Sequence, residues 1–98
     1  NGEYYLLFVQ SFNDLKTTDK WMKEVSELAK TKKLLLVTSV PDAAKDFFAS
    51  DVILGQLDIV TCDVTAIKTA ARSIPTLYKM NGSVVVEKWS AASFNKLN

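Results

Sequence analysis

The sequence predicts a single α/β domain, a three-layer sandwich with helices on both faces of a mixed sheet and elements in the order βαβαβαββα. Three observations carry this. Short apolar runs alternate with segments whose apolar residues recur at helical spacing, the pattern of strands joined by crossovers. Two β-favouring runs near the C-terminus are joined by Asn81-Gly82, a dipeptide that tolerates positive φ at both centres of a type I′ turn and so predicts a two-residue hairpin. The chain of 98 residues has room for one hydrophobic core and no second domain.

The elements follow in order. Tyr4 to Val9 is apolar on both faces, as expected of a central strand covered on two sides. Ser11 to Thr18 reads as a loop with Phe12 and Leu15 as anchors. Thr18 or Asp19 can cap a helix in which Trp21, Met22, Val25, Leu28 and Ala29 form an apolar stripe. Leu34 to Val37 is too short for a helix and reads as a buried parallel strand. Ser39-Val40-Pro41-Asp42 has the form of a capping box with proline in the first turn, opening a helix through Ala43, Ala44, Phe47 and Phe48. Val52 to Gly55 could extend that helix, close it, or lie outside it.

Leu57 to Thr61 suits an edge strand. Asp63 is placed to cap a third helix, with Val64, Ile67, Ala70 and Ala71 as a narrow stripe that implies close packing on a sheet. The hairpin follows, entered through Pro75, whose missing N–H belongs at a strand start or an interrupted ladder. Ser90 can cap a last helix carrying Phe94 and Leu97. Right-handed crossovers put the first strand centrally and the Trp89 strand at an edge.

Composition excludes several functions. Twelve basic and eleven acidic residues leave a net charge of +1, which offers no overall field to recruit nucleic acid or an anionic membrane. Lys30, Lys32 and Lys33 cluster where a helix C-terminus is expected, and complement its dipole. One cysteine, Cys62, and no histidine exclude an internal disulfide, a zinc-type ligand cluster and any histidine-dependent triad. With three glycines there is no phosphate-binding loop, and no cofactor is expected. No apolar run approaches the ~20 residues needed to span a bilayer, so the domain itself is not expected to insert into a membrane. The start at Asn1-Gly2-Glu3, leading into a strand, looks like an excised domain.

Few residues invite chemistry. Cys62 falls on the turn out of the edge strand, where a helix start would lower its pKa and Asp63 would raise it, and no resolving thiol exists; it reads first as a half-buried structural residue. Lys68 and Arg72 share one helix face, either solvated or forming an anion or partner site beside Pro75. Trp21 and Trp89 read as core and cover.

A helix ending at Arg72, then Ile74-Pro75-Thr76, an apolar strand, Asn81-Gly82 and another strand resemble the C-terminal half of thioredoxin-fold proteins. The resemblance implies a cis Ile74-Pro75 bond facing the position of a redox site. In active members the first central strand leads to a Cys-x-x-Cys pair at a helix N-terminus, where the dipole favours thiolate. Here the matching stretch, Ser11 to Trp21, holds no cysteine. From Thr69 to Ser90, with Arg72-Ser73, Pro75, Gly82 and Lys88-Trp89-Ser90, the chain also resembles the C-terminal domain of DoxX-like membrane proteins of the Bacteroidetes. The Trp21 helix and the Leu34 to Ser39 strand fit that pattern too.

What these resemblances imply is a redox-inactive, non-enzymatic module, cut from a membrane-tethered parent, that binds or positions a protein or peptide; either side of the membrane is open, with the extracytoplasmic side favoured. Its vacant redox site would be formed by Ile74, Pro75, Phe12, Thr18 and Arg72. The residue before the proline offers backbone hydrogen bonds to an extended peptide in active relatives, a role for Ile74. The competing expectation is a component of a membrane-associated thiol, quinone or sulfur oxidoreductase, with Cys62 as a single redox-sensitive thiol.

Overall fold

A computed structural model of the chain describes residues 2–10, 12, 20–49, 51–63 and 75–90. They form a mixed α/β fold: strand β1 (Glu3–Val9), helix α1 (Lys20–Thr31), β2 (Leu34–Thr38), helix α2 (Pro41–Phe48), a 3-10 turn (Leu54–Gln56), β3 (Asp58–Thr61), β4 (Thr76–Asn81) and β5 (Val84–Ser90). The five strands make one sheet in the order β3-β2-β1-β4-β5. β1 and β2 pair in parallel, as do β2 and β3. β4 runs antiparallel to β1, and β5 antiparallel to β4. As the apolar run of β1 requires, it lies between two neighbours, while the shorter and more polar β3 takes one edge and the Trp89 strand the other.

Register aligns one residue from each strand into a row across the sheet: Ile59, Leu36, Leu7, Leu77 and Trp89. The middle three are almost completely buried. They share one core with Trp21, Met22, Val25 and Leu28 of α1 and with Ala44 and Phe48 of α2. Both helices therefore cover the same face. The cause is topological: β1 to β2 to β3 is two successive steps in one direction, and right-handed crossovers taken in one direction stay on one side. The sequence expects helices on both faces; those anticipated after Asp63 and after Ser90 lie outside the described residues.

Two local expectations are corrected. The capping box at Ser39 does not form: Val40 is the N-cap of α2, with no side-chain cap bond, and Pro41 is the first helical residue. The preceding turn is held instead by Thr38, whose Oγ1 accepts from the Val40 N–H at 3.2 Å. The hairpin is also displaced by one residue. Asn81 and Val84 are the last paired positions, so the loop is Gly82-Ser83, and Gly82 supplies the positive φ of 63°. Cross-strand pairing claims Asn81 as a strand residue, because its neighbour Gly82 enters the left-handed region without a Cβ penalty.

The Val52 to Gly55 ambiguity resolves as a separate unit. The Asp51 carboxylate accepts from the N–H groups of Ile53 and Leu54, at 2.9 and 2.7 Å, and so starts the 3-10 turn that buries Leu54.

Candidate functional site

The parallel strands β1 and β2 deliver their C-terminal ends to one end of the sheet, and β4 enters from there, with Thr76 opposite Phe8. Pro75 immediately precedes this pair, and its side chain is completely buried. Phe12 leaves β1 at the same end. Its ring packs on Phe47 at 5.1 Å and edge-on to Phe48 at 5.7 Å. Trp21 completes the cluster, parallel to Phe47 and edge-on to Phe48, both at 6.4 Å. Such offset and edge-to-face arrangements are the favourable geometries for aromatic pairs. Phe12, just beyond β1, is thus packed on the end of α2, whose rings also receive Trp21 from the start of α1.

Of the site residues expected from sequence, Phe12 and Pro75 come to this end of the sheet, Phe12 half-buried and Pro75 enclosed. Ile74, Thr18 and Arg72 lie outside the described residues, and with Ile74 the geometry of its bond to Pro75. Phe47 and Phe48 were legible as helix residues only. Their meeting with Phe12 joins residues far apart in the chain, which no local spacing reports.

Cys62 lies one residue beyond β3, half-buried, with its N–H donating to the carbonyl of Thr38 at 3.0 Å. That bond continues the β2–β3 ladder and fixes the cysteine backbone. Cys62 closes one end of a groove of about 380 Å³ on the sheet face opposite α1 and α2, lined by Tyr4, Leu6, Phe8, Leu35, Val37 and Val60, with Lys33 at the other end. Beside it, Phe8 meets Tyr78 at 4.9 Å, and the Lys88 ammonium lies 5.7 Å from the Tyr78 ring centroid, within cation–π range. The groove follows from the second apolar face of β1, which the sequence does show.

Among the described residues, no group of three or more His, Cys, Asp or Glu side chains converges as a metal site. No described helix is long and apolar enough to cross a membrane. Among the described side chains with polar atoms buried from solvent, none lacks a hydrogen-bond partner. Among the described residues, the Glu27 carboxyl is held below its ordinary pKa by the hydrogen bond and charge of Lys30, in a 2.8 Å ion pair on the exposed side of α1. Comparison with family models, with curated proteins and with solved structures gives no match for this chain.

Proposed function

We propose that the chain is a thioredoxin-like module without thiol chemistry that serves protein interaction or positioning within a membrane-anchored parent. The strand order, with two parallel pairs followed by an antiparallel hairpin, supports that fold reading. The observation that carries the functional one is Phe12. At the exit of β1, where a reactive thiol would emerge, this chain has a ring seated on Phe47 and Phe48. A packed ring stands at that place instead of a nucleophile, and the buried Pro75 heads β4 at the same end of the sheet. An extended segment of the partner would bind beside Pro75, against the backbone of Ile74, with Thr18 and Arg72 at its border, as a form of strand addition.

Two measurements test this. The protein and its Cys62→Ser variant are expected to show equal, background rates of disulfide reduction with a dithiol as reductant. A photo-cross-linking residue at position 74 of the intact protein is expected to give a defined product, with the same probe at exposed Asp42 giving little. Equal yields at both positions would remove the interaction site.

The position of Cys62 at the mouth of an apolar groove favours one second reading, a single redox-sensitive thiol serving a membrane-associated oxidoreductase. Alkylation far faster than that of an unperturbed thiol at neutral pH, together with turnover abolished by Cys62→Ser, would establish it.

A further inference from the structure

The hairpin tip carries a reactive pair that neither functional reading uses. Asn81 is exposed and is followed by Gly82, which has no side chain to shield its amide nitrogen. In such a pair that nitrogen is the nucleophile for the neighbouring side-chain amide. The fold restrains this nucleophile. The Gly82 N–H donates to the Gly2 carbonyl at 2.9 Å, and the Gly82 carbonyl accepts from the Tyr4 hydroxyl at 2.7 Å. Gly2 also lies close to the Asn81 side chain, since a Cβ at position 2 would come within 2.8 Å of the Asn81 Oδ1. Across the ladder, Asn81 stands directly opposite Glu3.

We propose that Asn81-Gly82 is a site of intramolecular deamidation whose rate is set by the clamp that Gly2 and Tyr4 place on Gly82. Hydroxide removes the Gly82 amide proton, and the nitrogen forms a bond to Asn81 Cγ. The Cγ–Nδ2 bond breaks, and Nδ2 takes a proton from water and leaves as ammonia. Water then opens the resulting succinimide at either carbonyl, leaving aspartate or isoaspartate at position 81. Water is the only co-reactant, and nothing is oxidised or reduced.

While Gly82 donates to Gly2, its nitrogen cannot lose that proton or turn toward Cγ, so reaction requires this end of β1 to open. Either product places a carboxylate opposite Glu3, and like charges directly opposite on an antiparallel pair are destabilising. The isoaspartyl form also lengthens the backbone between β4 and the turn. Modification therefore weakens the restraint that delayed it.

The test is to incubate the folded chain at neutral and mildly alkaline pH, digest it with trypsin, and resolve the acid forms of the Met80–Lys88 peptide by chromatography and mass spectrometry. Conversion at Asn81 is expected to rise with pH and to be several-fold slower than in the free peptide. Tyr4→Phe, and independently Gly2→Ala, are expected to move the folded rate toward that of the peptide, with folding of each verified by circular dichroism. Conversion in the wild-type chain as fast as in the peptide, no conversion when the peptide has fully reacted, or unchanged rates in both folded variants would each overturn the proposal.

Discussion

The hydroxyl of Tyr4 donates a 2.7 Å hydrogen bond to the carbonyl of Gly82, joining residues 78 positions apart. Together with the Gly82 N–H bond to Gly2, it ties the start of the first strand to the hairpin tip through both backbone polar groups of one residue. Removing the hydroxyl in Tyr4→Phe is expected to cost about 0.5–1.5 kcal/mol, toward the low end because the bond is exposed and water can replace it. Urea unfolding checks this. The midpoint should fall while the slope stays constant, since the surface exposed on unfolding is unchanged.

Phe48 and Phe12 touch each other but differ in burial. Phe48 is 2% exposed, and Phe48→Ala is expected to cost about 3–5 kcal/mol through lost transfer energy and a residual cavity. Phe12 is only half-buried, so Phe12→Ala should cost less. In the double variant the two costs should fall short of additive, because each removes the shared contact. A double-mutant cycle by denaturant unfolding that gave strict additivity would refute the seating of Phe12 on α2.

Two glycines are held for different reasons. At Gly82, with φ of 63°, a Cβ would meet nothing within 4 Å, so the penalty of Gly82→Ala is conformational and expected at about 1–2 kcal/mol. At Gly55 a Cβ would lie 2.9 Å from the Phe48 carbonyl oxygen. Gly55→Ala must push apart the end of α2 and the 3-10 turn, an overpacking cost of about 1–3 kcal/mol. Asparagine tolerates the left-handed region, so Gly82→Asn should recover stability relative to Gly82→Ala, while Gly55→Asn should not recover relative to Gly55→Ala. Thermal unfolding of the four variants distinguishes them.

Glu27 gives the pH prediction. Its folded pKa is lowered, first by the hydrogen bond from Lys30, then by the charges of Lys30 and Lys23. Folding therefore favours the carboxylate: the contribution is fully present above the unfolded pKa and is lost as pH falls through the lowered folded value. Wild type and Glu27→Gln should differ slightly at neutral pH, and the part of that difference due to the ion pair should vanish under acid conditions and shrink with salt. Melting temperatures across pH and salt concentration measure this. A difference that widened on acidification would contradict the assigned ion pair.

The candidate site was legible in parts. The exit of β1 could be seen to lack a thiol, and Pro75 could be seen to open a strand, because both are properties of a few consecutive residues. The role of Phe12 could not be read beyond that of an anchor, since its partners Phe47 and Phe48 lie on a different element. The cap of α2 was misplaced by one residue for a related reason: Ser39 has a suitable side chain, but the turn held by Thr38 and Val40 puts the helix start after it. Likewise, Asn81 has the propensity for a turn centre, but pairing with Val84 and the freedom of Gly82 moved the loop on by one residue.

The sequence by itself determined the order of the five strands and two helices described, the central place of β1, the edge positions of β3 and β5, and the absence of an internal disulfide or histidine chemistry, but not the 3-10 turn at Leu54–Gln56. These follow from periodicity, strand polarity and composition, which act over a few residues or over the whole count. Only the tertiary structure decided that α1 and α2 share one face, that Ile59, Leu36, Leu7, Leu77 and Trp89 form one row, and that Phe12 closes the exit of β1. It also decided that Tyr4 and Gly2 hold Gly82. Those contacts join residues far apart in the chain, and they are selected by burial and hydrogen bonding in the assembled sheet rather than by the preference of any segment alone.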